Sequence, residues 1–139
     1  MNQKEEKLRF FNGLCKNTLM ETLKIRYVDL GEDYIVATMP VNERVYQPDG
    51  ILNGGATLAL AESVGSPTSM LVIDNDKFSI RGVQMSANHI RSVKSGIITA
   101  TAKFIHKGRT THIIEISIED NQGNLVSLCK LTNIILPKK

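Results

Sequence analysis

The chain has 139 residues and a net charge of +3, with 42% hydrophobic and 22% charged residues. This composition excludes a disordered chain, and the length has room for one domain, residues 1–139. No apolar run approaches the ~20 residues of a membrane span, and the charged start MNQKEEKLRFFNG lacks the apolar core of a signal peptide. Two separated cysteines, Cys15 and Cys129, fit a reducing compartment, so we expect a cytoplasmic protein.

The charge is unevenly distributed along the chain. Residues 77–139 contain ten Lys or Arg against three acids, whereas residues 1–76 contain seven against eleven. The small net charge argues against a dedicated nucleic-acid binder. The basic groups of the second half are either solvated strand ends or donors to a phosphorylated ligand. Four of these basic residues lie near predicted turns: Arg91, Lys94, Lys107 and Arg109.

A helix and a hairpin are predicted first along the chain. Apolar residues at helical spacing predict an amphipathic helix that ends near Asn17: Leu8, Phe11 and Cys15. Residues 23–31 and 34–41 are rich in Ile, Val, Tyr and Thr and flank the turn sequence GED, which predicts an antiparallel hairpin.

A long helix is predicted next, from Ala56 to about Ile73, after a polar loop and the pair Gly54-Gly55. Pro67 cannot donate to the carbonyl of Ser63, so it is expected to kink or end this helix. After residue 75 the pattern changes to period two, and three turn signals separate four predicted strands. The order of elements is therefore helix, two strands, long helix, four strands.

This order predicts an α+β fold in which an antiparallel sheet wraps one long central helix and an N-terminal helix packs beside it. One sheet face is expected to be buried by the central helix and the other to face water or another subunit. An exposed edge strand favours pairing with a second copy, so we predict a homodimer.

The start of the central helix is suited to negative charge. Its first backbone N–H groups have no helical acceptor, and Gly54 lets a ligand approach them closely. Glu62 and Ser66 follow on the same helix, and Gln47 precedes it, so the four are expected to line one groove. There Glu62 would attack a carbonyl or activate water. The alternative is a solvated Glu and a simple Gly-Gly turn.

The run GILNGGATLALAESVGS, with Gln47 ahead of it and ANHIRSVKSG after it, resembles the hotdog-fold acyl-CoA thioesterases of the phenylacetate-degradation type. It is most similar to the aryl-CoA branch, which includes an enterobactin proofreading thioesterase and a dihydroxynaphthoyl-CoA hydrolase. The resemblance covers roughly residues 20–136. It implies a thioester hydrolase that cleaves an acyl-CoA to free acid and coenzyme A, without metal or other cofactor.

The resemblance also implies roles for individual residues. Glu62 would be the catalytic nucleophile or general base, Gly54 and Gln47 would polarise the thioester carbonyl, and Ser66 would hold water or Glu62. Gly55 would belong to the substrate-binding turn. Coenzyme A phosphates would lie near the following strand ends: Asn88, His89, Arg91 and Arg109. The site would form between two subunits, with dimers pairing into a homotetramer.

One motif position departs from the family. The usual motif reads His-Gly-Gly, and this chain has Asn53 in the His place. Asparagine offers an amide donor of similar reach but does not titrate near neutral pH. The alternatives are a non-catalytic acyl-CoA-binding protein, in which Asn53 marks lost activity, and an acyl-carrier-protein thioesterase.

Other enzyme classes fit poorly. The sequence has no Gly-x-Ser-x-Gly motif, which a serine-triad hydrolase would need. Its three histidines do not have the spacing of metal ligands: His89, His106 and His112. Met70, Phe78 and Met85 are either core residues or the wall of an acyl pocket.

Overall fold

The computed structural model describes residues 1–139. The helices are α1 (Gln3–Gly13), α2 (Leu19–Thr22) and α3 (Gly54–Thr68), and the strands are β1 (Arg26–Leu30), β2 (Tyr34–Val41), β3 (Phe78–His89), β4 (Gly96–Lys107), β5 (Thr111–Glu119) and β6 (Leu125–Pro137). Short 3₁₀ turns occupy Glu43–Val45 and Ser69–Leu71. The predicted order of helices and strands is confirmed.

The six strands form one antiparallel sheet in the order β1-β2-β4-β5-β6-β3. It curves around α3, which contacts β2, β3, β4, β5 and β6. The predicted α+β class, with a sheet around one long helix, is therefore confirmed. Since β3 follows α3 but pairs with the C-terminal strand, it ends up at the sheet edge.

The alternation of residues along the strands decides what the sheet buries. Ile114, Ile116 and Ile118 on β5 are fully buried, whereas Glu115 and Glu119 between and after them are exposed. Because successive side chains in a strand point to opposite faces, one face of the sheet packs on α3. Leu60 and Val64 of α3 meet it and are also fully buried.

Three element boundaries differ from the sequence predictions. The first helix ends at Gly13 instead of near Asn17, and the first strand begins at Arg26 instead of residue 23. Asn17 and Lys24 have φ angles of 61° and 58°, a left-handed conformation that stops helices and strands, and the short α2 lies between them. The central α-helix ends at Thr68 and continues only as a 3₁₀ turn to Leu71, instead of reaching Ile73.

Helix α1 is joined to β1 by the side chain of Asn12 and by an ion pair between Lys4 and Asp29 at 2.8 Å. The amide of Asn12 donates to the carbonyl of Tyr27 at 2.9 Å and accepts from the Tyr27 N–H at 2.8 Å, as a neighbouring strand would. Phe11 packs on the Tyr27 ring, with centroids 5.7 Å apart. The N-terminal helix is thereby fixed against the edge of the sheet beside α3.

No helix of the structure is long and apolar enough to cross a membrane.

Candidate functional site

Glu62 lies on α3 over the edge strand β3. Its side chain is exposed in the single chain. A Cβ placed on Gly82 would lie 3.0 Å from Oε2 of Glu62, so the missing side chain at Gly82 leaves room for the carboxylate against the strand. The carboxylate of Glu62 thus lies against a strand residue that belongs to no motif.

Glu62 and Ser66 open into a cavity of about 600 Å³. The N-terminal helices form one wall of it and the start of β3 another. Its apolar lining includes Phe11, Leu14, Met20, Met70, Phe78 and Ile80. A carboxylate on the wall of an apolar cavity of this size is suited to act on a bound carbonyl compound that has an apolar group.

Pro67 lies in the last turn of α3, and the helix ends one residue later at Thr68. Of the two outcomes predicted for this proline, a kink or the end of the helix, the structure shows the helix ending one residue later. Because the break comes after Ser66, this serine stays on the same cavity wall as Glu62.

The start of α3 is capped by Asn53. The Asn53 side-chain oxygen accepts hydrogen bonds from the N–H groups of Gly55 at 2.6 Å and Ala56 at 3.3 Å. The N–H of Thr57 donates to the Asn53 backbone carbonyl at 3.1 Å. Among the first four donors of the helix, only that of Gly54 has no acceptor within the chain. The Asn53 amide nitrogen also has no acceptor, so both donors are free for a ligand.

Gly54 opens into a second cavity, of about 210 Å³, together with Gln47, His89 and Arg91. A Cβ placed on Gly54 would lie 3.0 Å from Nε2 of His89. Gln47 donates one amide N–H to Asp49 at 2.8 Å and keeps the other. The structure thus brings together donors at the helix start with an imidazole and a guanidinium.

The remaining sequence-predicted residues are more dispersed. Gly55 is exposed, but its N–H is used by Asn53. Asn88 is exposed at the end of β3, next to His89. Arg109 lies in the turn before Thr111, at the other end of the sheet.

The strand register measures how far Arg109 is from the others. Thr111 pairs with Ile134 and His89 pairs with Ser127, both on β6. Seven residues of extended chain correspond to about 23 Å. Within one chain, therefore, Arg109 does not join Asn88, His89 and Arg91.

The expectation of one groove is wrong within a single chain. Glu62 and Ser66 line the larger cavity, and Gly54 and Gln47 line the smaller one. Eight residues of α-helix separate Gly54 from Glu62 by about 12 Å along the axis. The sequence pattern places Gly54 and Glu62 on one helix. It does not show that they line different cavities.

Sequence reasoning missed several residues at these cavities. Tyr27 lines the larger cavity, and Ser127 lies behind His89 with a fully buried side chain. Neither stands in a motif, and their roles depend on strand pairing. The amphipathic pattern of Phe11 signalled that α1 packs on other elements, but not that it forms a cavity wall. The structure has no cluster of three or more His, Cys, Asp or Glu side chains placed to hold a metal ion.

A family model described as the thioesterase superfamily matches residues 49–127. The proofreading thioesterase EntH of Cronobacter turicensis is 38% identical over 129 residues, which are 93% of this chain and 93% of that protein. The 1,4-dihydroxy-2-naphthoyl-CoA hydrolase of Escherichia coli is 36% identical over 129 residues, which are 93% of this chain and 94% of that protein.

Solved structures agree with the architecture. A mutant thioesterase from Pseudomonas aeruginosa superimposes with a TM-score of 0.92 at 37% identity, covering 94% of both chains. A thioesterase from Haemophilus influenzae gives a TM-score of 0.90 at 38% identity, covering 94% of this chain and 90% of that one.

Proposed function

Because the chain belongs to the thioesterase superfamily and is a thioester hydrolase, as the sequence resemblance predicts, we propose that it hydrolyses an acyl-CoA to free acid and coenzyme A. The acyl group is aryl or medium-chain. The observation that carries the proposal is the exposed carboxylate of Glu62 on the wall of an apolar cavity of about 600 Å³. Such a cavity accepts an apolar acyl group and presents its carbonyl to a carboxylate.

Glu62 acts as nucleophile or general base in this reaction. As a base, it takes a proton from water while the water oxygen bonds to the thioester carbon. As a nucleophile, it forms an anhydride that water then cleaves. In both cases the carbon–sulfur bond breaks, the thiol leaves with a proton, and the acid is released. Ser66 holds the water, since it lines the same cavity wall.

The start of α3 stabilises the oxyanion that forms on the thioester carbonyl. The Gly54 N–H is the free donor of the first turn, and Gln47 and Asn53 each keep an amide N–H beside it. A donor of this kind contributes ~3 kcal/mol of transition-state stabilisation. Gly55 supports the turn. The coenzyme A part of the substrate lies beside Asn88, His89 and Arg91. Arg109 can reach it only from another subunit.

A homodimer joins the two halves of the site. Glu62 and Gly54 of one chain are about 12 Å apart along the helix and cannot act on one carbonyl. The edge strand β3 carries both neighbours, Gly82 beside Glu62 and His89 beside Gly54. Antiparallel pairing of two β3 strands with Gly82 opposite His89 places the glycine turn of one subunit near Glu62 of the other.

That pairing sets the two-fold axis between Met85 and Ser86, midway along the strand segment. Two exposed apolar residues lie in or next to this segment, Val83 at 53% and Ile90 at 58% exposure, and the pairing would cover part of their surface. Pairing of dimers into tetramers is part of the same proposal, on the resemblance alone.

Turnover tests the reaction. Release of free thiol is followed with a panel of aryl and alkyl acyl-CoAs for wild type, Glu62→Gln and Glu115→Gln. Glu115 is an exposed glutamate on β5 and serves as a matched control. We expect Glu62→Gln to lose at least about 100-fold in kcat and Glu115→Gln to match wild type. A wild type that binds acyl-CoA without cleaving it would instead support the non-catalytic binding protein.

Subunit mixing tests the shared site. Glu62→Gln and Gln47→Ala subunits are each expected to be nearly inactive. Unfolding and refolding them together at equal amounts forms mixed dimers in half of the population, each with one intact site, so activity returns to about a quarter of wild type. Recovery no greater than the mean of the two variants would contradict a site built from two chains.

A further inference from the structure

His89 is held from behind by a buried serine. Its Nδ1 lies 2.9 Å from Oγ of Ser127, the residue opposite it on β6. Ser127 is fully buried, although His89 itself is exposed at the end of β3. The imidazole is therefore anchored at one nitrogen by the core of the sheet and presents the other nitrogen outward.

The hydroxyl proton of Ser127 has another acceptor. Oγ lies 3.2 Å from the backbone carbonyl of Asn88, which can only accept, and 3.7 Å from Sγ of Cys129. A serine hydroxyl has one proton and two lone pairs. When the hydroxyl donates its proton to the Asn88 carbonyl, only its lone pairs are left for His89, so it can only accept a hydrogen bond from the imidazole. The proton of the neutral imidazole must then be on Nδ1.

The other nitrogen of His89 faces the smaller cavity. A Cβ on Gly54 would lie 3.0 Å from Nε2, and Gln47 and Arg91 line the same cavity. With the proton on Nδ1, Nε2 carries a lone pair there. A lone pair repels an oxyanion but accepts a hydrogen bond from an N–H group.

We infer that Ser127 is a positioning residue that fixes His89 with its proton on Nδ1, so that Nε2 accepts an amide N–H of the thiol arm of the bound thioester. The ligand part of this inference rests on the proposed function, because coenzyme A carries amide N–H groups next to its thiol. The protonation of His89 does not depend on it.

The tautomer is measured first, by ¹⁵N–¹H correlation spectra of the ¹⁵N-labelled wild-type protein at about pH 8, where histidine is neutral. The two ring nitrogens have distinct shifts when protonated and unprotonated. We expect His89, assigned with His89→Gln, to carry its proton on Nδ1 in the wild type and on Nε2 in Ser127→Ala. A wild-type proton on Nε2 would overturn the inference, whatever the protein hydrolyses.

Kinetics test the role of the lone pair with thioesters of N-acetylcysteamine, which has an amide, and of ethanethiol, which has none. For Ser127→Ala we expect kcat/KM to fall about tenfold more on the thioester of N-acetylcysteamine than on that of ethanethiol, because only the first loses a hydrogen bond to Nε2. Ser117→Ala, a serine on β5 that makes no contact with His89, is the control. Equal effects on both thioesters would overturn the amide contact, while a wild type inactive on every thioester would contradict the proposed function alone.

Discussion

The hydroxyl of Tyr27 donates a hydrogen bond to the carbonyl oxygen of Ser63, the acceptor on α3 that Pro67 leaves without its helical donor. Tyr27 is almost fully buried on β1, and burial raises the pKa of its phenol, so the group stays protonated and remains a donor. A strand residue therefore completes the hydrogen bonding of the helix that carries Glu62.

Tyr27→Phe removes this donor without changing the ring. The Ser63 carbonyl then loses its partner, and water in the larger cavity, which Ser63 lines, can replace it, so we expect the free energy of unfolding to fall by about 0.5–1.5 kcal/mol. Urea unfolding measures it. Pro67→Ala supplies a backbone N–H to the same carbonyl, so Tyr27→Phe should have a smaller effect in that background. An equal effect in both backgrounds would show that the proline does not create the need for the phenol.

Asn53 combines two functions that substitutions can separate. Asn53→Ser keeps a side-chain oxygen for the N–H groups of Gly55 and Ala56, so stability should change by less than about 0.5 kcal/mol. It removes the amide donor, and we expect turnover to fall. Asn53→Ala should lower both turnover and stability, the latter by about 1 kcal/mol. Thermal unfolding and thiol release are the two measurements, and wild-type turnover in Asn53→Ser would exclude a role for the amide.

Asn53→His introduces the residue usual in the family motif. Histidine is a poorer cap than asparagine, so the free energy of unfolding should fall by about 1 kcal/mol. Its ring N–H replaces the amide donor, and we expect turnover to match or exceed that of wild type. A large loss of turnover in a folded variant would indicate that the site depends on asparagine.

Gly82 leaves the space beside β3 that the Glu62 carboxylate occupies. A Cβ at this position would lie 3.0 Å from Oε2 of Glu62 and 3.3 Å from Leu131, so Gly82→Ala must displace the carboxylate. Because small misplacements of reacting groups slow catalysis, we expect kcat to fall about tenfold or more, with KM little changed. Gly13→Ala, where a Cβ meets nothing within 4 Å, is the control. Unchanged kcat in Gly82→Ala would show that the carboxylate position is not limiting.

His112 makes stability depend on pH. Its side chain is buried, hydrogen-bonded to Ser69 at 2.8 Å and packed edge-on to Phe104. Burial lowers the pKa of His112 below its usual value of 6.5. The unfolded chain therefore binds the proton more readily, and the contribution of this residue is fully present above pH 6.5 and lost as the pH falls from there toward the folded-state pKa.

Urea unfolding between about pH 8 and pH 5 measures this effect. The wild type should lose stability over that range more steeply than His112→Gln, which keeps a polar group but has no titrating proton. Parallel curves for wild type and His112→Gln would contradict the assignment.

The sequence by itself determined the order of helices and strands, the alternation of buried and exposed residues along β5, and the helix that begins at Gly54 and carries Glu62. These are local properties: periodicity, turn residues and the donors of a helix start follow from neighbours along the chain. Residue identity also determined the family resemblance, since the motif around Glu62 is continuous.

The tertiary structure decided which residues meet across the sheet. It placed Gly54 and Glu62 at different cavities, put Gly82 under the carboxylate, and paired Tyr27 with Ser63 and Ser127 with His89. It also separated Arg109 from Arg91. The physical reason is that strand register and the docking of α3 depend on contacts between residues far apart in the chain. Local patterns predict a strand and its buried face, but not which residue lies opposite.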